Sequence, residues 1–185
     1  YTDRFPKPGE SVPGSDFVSS RGGKGANQAI ATARLGGAVS VIGRVGNDIF
    51  GDDNIEGLRE NGINVDGVDK SNTRSTGTAL ITVDSKGENT TVVSLGANVE
   101  MDEKMAEVHA HALDGADVCI AQATICQTGN KKFFEIARSK GILTICNPAP
   151  ADKCEDRSLL SLVDILCVNR HEVLLLFKIL PSRQL

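Results

Sequence analysis

The stretch Val118-Cys119-Ile120-Ala121-Gln122-Ala123, then Phe133, Ile136 and Ala137, then Leu143-Thr144-Ile145-Cys146, decides the fold. A short apolar run reads as a buried strand, and apolar residues at i, i+3 and i+4 read as a helix packed on one side. Strand, helix and strand in that order predict a parallel pair, with the helix covering one face of the sheet. The same alternation extends outward. Residues 165–168 form a further strand-like run downstream, and Met101, Met105, Val108 and Ala112 repeat at helical spacing upstream. Nearer the start, residues 39–45 are β-rich, and a helix is expected over 51–61 with Ile55 and Leu58 inward and Gly62 as its stop. The fold class is therefore α/β, a mainly parallel sheet flanked by helices in one domain.

Two regions depart from this rhythm. Residues 76–83 and 89–95 are strand-like and joined by Asp84-Ser85-Lys86-Gly87-Glu88, a compact polar turn that predicts a hairpin. Ala79, Ile81 and Val83 share one face of it by period two, and Val93 joins them across the pair. Residues 11–19 carry a weaker strand pattern through Val12, Phe17 and Val18, after the extended turn at Pro6, Pro8 and Gly9.

With 185 residues, 40% apolar and 24% charged, the chain can bury one sizeable core. A net charge of −4 argues against a nucleic-acid or anionic-membrane surface, which calls for a basic face. No apolar run is long enough to span a bilayer. The cysteines, Cys119, Cys126, Cys146, Cys154 and Cys167, are odd in number and lack CxxC spacing, so reduced thiols and a cytoplasmic setting are expected. His109 and His111 fall on different faces of the expected helix, away from any ligand cluster, and read as surface residues. No nucleophile-elbow spacing is present.

The chemistry points to Arg21-Gly22-Gly23-Lys24-Gly25-Ala26-Asn27-Gln28-Ala29. Glycines permit positive φ and close backbone approach to a ligand, and the helix that follows presents unpaired N–H groups. Ala26, Ala29, Ile30 and Ala33 recur at helical spacing, so Lys24 and Asn27 are left for a ligand. A Walker A loop needs Ser or Thr where Gly25 stands, and a dinucleotide fingerprint needs glycine where Gln28 stands. The bland alternative is a helix start whose glycines only form a turn.

This run resembles the sugar-binding signature of the ribokinase-like (PfkB) carbohydrate kinases, most closely their ribose-phosphorylating members, and the resemblance extends from about Phe5 to Glu172. It implies a partial Rossmann-like core over about 22–70 and 99–172, with a small β-sheet lid from about 11–19 and 76–95. By the same resemblance, Gly22, Gly23, Lys24, Gly25, Ala26 and Asn27 contact the sugar, and Ala79, Ile81 and Val93 lie above it. Asn147-Pro148-Ala149-Pro150-Ala151 and the Gly46–Gly51 element also look like the family. Asn169-Arg170-His171-Glu172 has the family's Asn-x-x-Glu form, implying Asn169 near the nucleotide phosphates and Glu172 ordering Mg²⁺ through water. The implied substrates are ATP and ribose, with K⁺ as activator and a homodimer formed through the lid.

The sequence also departs from the family. Thr124 stands where a glutamate bonds the sugar, which leaves ribose preference open, although a water can fill the gap. The family's first strand, with its Asn-x-Asp element, and its Gly-Ala-Gly-Asp element, with the catalytic base and anion hole, do not occur. From Val173 to Leu180 the chain is almost unbroken apolar, and residues 173–185 read as a divergent tail. The expectation is thus an incomplete domain that supplies sugar recognition and holds no catalytic base. The alternatives are a non-catalytic sugar-binding remnant, or a related kinase for another sugar or a nucleoside.

Overall fold

The computed structural model describes residues 1–151, 154 and 156–177. Two parallel βαβ bodies and one antiparallel hairpin build the α/β architecture. In the first body α1 (Lys24–Arg34) precedes β1 (Ser40–Gly46), and α2 (Ile49–Glu60) carries the chain across to β2 (Asn64–Ser71), which pairs parallel with β1. In the second, β5 (Val118–Gln122), β6 (Leu143–Asn147) and β7 (Ile165–Leu166) form a parallel sheet in that order, and α4 (Gln127–Ser139) crosses from β5 to β6. The hairpin pairs β3 (Thr78–Val83) with β4 (Asn89–Ser94). The helices α3 (Glu103–Val108) and α5 (Arg170–Phe177) complete the order.

Each body has its own core. Ala29, Ile55, Leu58, Ile63 and Val65 bury the contact of α1 and α2 with β1 and β2. Phe133, Phe134 and Ala137 of α4 pack with Cys119, Cys146 and Leu176 in the second body, and Ile42 of β1 reaches that cluster. Local signals set the ends of α2, and the stop at Gly62 is the one read from the sequence. Asp48 caps α2 by accepting from the Gly51 N–H at 2.9 Å, and Gly62, at φ 71°, turns the chain out of it.

The joint between body and hairpin is tightly bonded. Asp48 also accepts from the Thr76 N–H at 2.8 Å and the Thr76 hydroxyl at 2.6 Å, just before β3 begins. The Ala97 N–H donates to the Ser75 carbonyl at 2.8 Å where the chain returns from β4. A side chain at Gly46 or Gly96 would collide with the backbone of residues 75–77, so both positions require glycine. The hairpin beyond the joint is exposed on both faces, with Leu80 and Val92 opposite each other on one and Ile81 and Val93 on the other.

Three expectations need correction, and one strand was not read. No strand forms over residues 11–19. The segment makes a single bridge, Thr2 to Gly14, and Phe17 is 84% exposed, since Pro13 has no N–H to donate and Gly14 no side chain to pack. The strand β2 went unread because Asn-Val-Asp-Gly-Val-Asp-Lys-Ser is polar on its outer positions, yet Val65 and Gly67 alternate inward against β1. The expected helix through Ala112 ends at Val108 and continues as a 3₁₀ turn over Ala110–Leu113. His109, at that junction, is buried with its Nε2 2.9 Å from the Asp69 carboxylate, whereas His111 is on the surface as expected. Asp69 also lies 3.9 Å from Arg44, which bonds Glu100 at 2.6 Å, so an ionic cluster ties β1, β2 and the turn before α3 together.

The five cysteines are free thiols. Burial pushes Cys119 up to about 11 and Cys146 up to about 12, which keeps both protonated and unreactive. Cys167 is exposed. The tail expected from residue 173 begins as part of α5, and residues 178–185 of it lie outside the described residues.

Candidate functional site

The glycine loop is anchored from behind. Arg21 lies across Gly57 of α2, where any side chain would strike its aliphatic stem. Its guanidinium pairs with Glu60 and, at 2.9 Å, with Asp53. These carboxylates, Glu60 foremost, raise its pKa further. The Gly22 N–H donates to the Asn54 side chain at 3.2 Å. Gly23 then adopts φ 103° as the cap residue of α1, a conformation that other residues rarely take.

The first turn of α1 is left open. The Asn27 N–H closes the first helical bond to the Gly23 carbonyl at 2.9 Å, so the three preceding N–H groups lack intrahelical partners. No acidic residue stands in this turn and no side chain caps it, which leaves the positive end of the helix dipole uncompensated. Ala26 and Ile30 pack on the core beneath. Lys24 and Asn27 are exposed on the outer side, and neither side chain has a polar partner among the described residues. One face of α1 holds the body while the other presents an ammonium and an amide.

This turn meets the end of β5. Gln122, the last residue of that strand, lies so close to Gly25 that a Cβ there would come 3.1 Å from its Oε1. Its Nε2 donates to Gln28 Oε1 at 2.5 Å, and its carbonyl accepts from Asn130 Nδ2 of α4 at 2.5 Å. Thr124 follows two residues on, half-buried in the turn after the strand. Gln122 is also the register partner of Asn147, whose side chain donates to the Cys167 carbonyl at 2.8 Å. The carboxyl ends of β5, β6 and β7 thus lie side by side next to the opening of α1, the edge where parallel sheets collect ligands.

Asn169 and Glu172 sit just past β7 and cap α5 reciprocally. The Glu172 N–H donates to Asn169 Oδ1, and the Asn169 N–H donates to Glu172 Oε2, both at 2.9 Å. Among the described residues no group of three or more His, Cys, Asp or Glu could hold a metal ion. A lone carboxylate with one oxygen engaged as a cap fits contact with Mg²⁺ through water, not direct ligation by a protein cage. The Asn169 amide keeps its NH₂ donors, which suit phosphate oxygens.

The hairpin residues are brought together only among themselves. Ala79 pairs with Val93, and Ile81 follows on the same face. Ile81 is 58% and Val93 60% exposed, so neither is packed over the loop in this structure. Sequence reasoning missed Gln122, Gln28 and Asn130 as a set. The available signal was the polar Gln122 ending an otherwise apolar strand.

Comparison with known proteins follows the same lines. A family described as "pfkB family carbohydrate kinase" matches residues 1–183. Mouse ribokinase is 37% identical over 171 residues, which are 92% of this chain and 53% of that protein. A deoxyribokinase of Salmonella typhi is 33% identical over 173 residues, 94% of this chain and 56% of that protein. The structure of Arabidopsis thaliana ribokinase with ribose and ATP superposes with a TM-score of 0.84 at 28% identity, over 98% of this chain and 59% of that one. The chain spans about half the length of these curated relatives.

Proposed function

This chain belongs to the pfkB family of carbohydrate kinases, and on that premise we propose that it supplies the sugar-recognition part of an ATP-dependent ribose kinase. In the reaction the primary hydroxyl oxygen of ribose bonds the γ-phosphorus of ATP, the bond from that phosphorus to the β-phosphate oxygen breaks, the hydroxyl gives up its proton, and ribose 5-phosphate, ADP and a proton result. The observation that carries this reading is the open first turn of α1. It offers three N–H donors, the Lys24 ammonium and the Asn27 amide to a ligand rich in hydroxyl groups.

Gly22, Gly23 and Gly25 admit the sugar close to the backbone, and Ala26 keeps the floor shallow. Thr124 faces the sugar from the end of β5 as a short neutral partner. Closure of the hairpin brings Ala79, Ile81 and Val93 over the bound sugar and excludes water. The opposite face, where Leu80 and Val92 are each 70% exposed, is the surface through which two copies pair. Asn169 donates to nucleotide phosphate, and Glu172 orders Mg²⁺ through water. When bound, the metal offsets charge on the transferring phosphoryl group. K⁺ acts as activator, and no described residue is assigned to it. The free thiols support a reducing, cytoplasmic setting.

A second reading is deoxyribose as acceptor. The relatives include deoxyribokinases, and Thr124 offers less than a carboxylate to a sugar's hydroxyls. Phosphorylation of ribose, deoxyribose and fructose by the full coding sequence that contains these residues tests both readings. The highest kcat/KM is expected for ribose. Preference for deoxyribose supports the second reading, and preference for fructose contradicts both.

A further inference from the structure

Gln122 touches three elements at once. Its side chain fills the space that glycine leaves at position 25, its amide reaches Gln28 on the next turn of α1, and its carbonyl is held by Asn130 of α4. Gly25 does not have positive φ, unlike Gly23, so what a side chain there would press against is the Gln122 amide. Asn130 is only 2% exposed, so the anchor under Gln122 is rigid. Lys24 and Asn27 flank Gly25 on the same turn, and Thr124 lies two residues beyond Gln122. Whatever fixes the Gln122 side chain therefore fixes the distance between the donors of α1 and the end of β5.

We propose that Gln122 is a positioning residue for sugar recognition, acting through its hydrogen bond to Gln28 and its contact with Gly25 to hold Lys24 and Asn27 at a set distance from Thr124. The proposal rests on the sugar-binding reading of this loop. It makes Gln122 a gauge, not a ligand. The orientation of the two amides follows from the hydrogen bond between them, so either side chain can serve as donor provided that the other accepts.

That reciprocity gives the test. Gln122→Ala, Gln28→Ala, the double Gln122→Ala/Gln28→Ala, Gln28→Glu, Gln122→Glu and the double Gln122→Glu/Gln28→Glu are made in the full coding sequence that contains these residues. Ribose and ATP binding are titrated by calorimetry, alongside thermal unfolding. Each alanine variant should weaken ribose binding roughly three- to tenfold and leave ATP binding alone, the effect of losing one neutral hydrogen bond. The double alanine variant should lose no more than the worse single variant, because one bond is removed in all three cases. Each single glutamate should recover most of the loss, since a carboxylate still accepts from the facing amide, while the double glutamate should bind ribose worst. Ribose binding by the alanine variants equal to wild type would overturn the proposal. So would equal losses for ribose and ATP in step with a lowered unfolding temperature, which mark a purely structural role. A wild-type protein that binds ATP and no pentose removes the sugar-binding reading itself and the proposal with it.

Discussion

Replacing Asp48 by alanine should cost about 3 kcal/mol of folding stability. One carboxylate makes three bonds here, to the Gly51 N–H, the Thr76 N–H and the Thr76 hydroxyl. Loss of the helix cap alone costs about 1 kcal/mol. The Thr76 groups, on a residue only 5% exposed, lose a charged acceptor, and a bond of that kind contributes about 1.5–3 kcal/mol. The Gly46 N–H, which donates to the Thr76 oxygen at 2.9 Å, ties the same residue to β1, so Thr76 cannot swing out to water cheaply. Asp48→Asn keeps one acceptor oxygen but sets an NH₂ against the Thr76 N–H, and should cost about half as much. The Thr76 hydroxyl first, then its N–H, hold the Asp48 carboxyl below the usual carboxylate range. Its folded value lies below its unfolded one, so the stabilisation is present above the unfolded value of about 3.9 and fades as pH falls through the folded one. Urea unfolding of wild type and both variants at pH 7, and again in steps below pH 4, measures this. Asp48→Ala within about 0.5 kcal/mol of wild type at pH 7, or a wild-type to Asn gap that does not narrow in acid, would refute the reasoning.

Asn27→Ala should raise the sugar KM by about 1–3 kcal/mol in free-energy terms with little change for ATP, as kinetics with each substrate varied will report. Thr124→Glu should improve ribose use by supplying a charged acceptor, and unchanged ribose kcat/KM would count against the assigned place of Thr124. A maleimide probe at pH 7 should label Cys167 promptly and leave Cys119 and Cys146 unlabelled until the chain is unfolded, read by peptide mass spectrometry. The 185-residue chain made by itself should release no ADP in response to ribose, since phosphoryl transfer needs a base at the acceptor hydroxyl and none is placed among the described residues.

The parts of this molecule that were legible in the sequence are those written in local pattern. The strands β5 and β6 and the helix α4 show their periodicity openly, and the expected helix over 51–61 with its stop at Gly62 falls within two residues of α2 at each end. The glycine loop was legible because missing side chains are themselves a signal. What stayed hidden depends on partners far away in the chain. The strand β2 exists because β1 offers it a ladder, so half of its residues needed no apolar character. His109 is buried through an acceptor forty positions earlier, Asp69. The Gln28 and Gln122 amides are ninety-four residues apart, and no spacing rule connects them. The Asn-x-x-Glu element shows a different limit, because the same four residues read equally as a helix cap, which the structure displays, and as a nucleotide contact.

The most direct test of sugar recognition at the α1 opening is a ribose titration followed by amide NMR on the protein that carries these residues. The account predicts ribose-dependent shifts at Gly23, Lys24, Gly25 and Asn27, at Gln122 and Thr124, and at Ala79, Ile81 and Val93 as the hairpin closes, with the outer face of α2 unaffected. Shifts confined to other surfaces, with the first turn of α1 silent at saturating ribose, would contradict it.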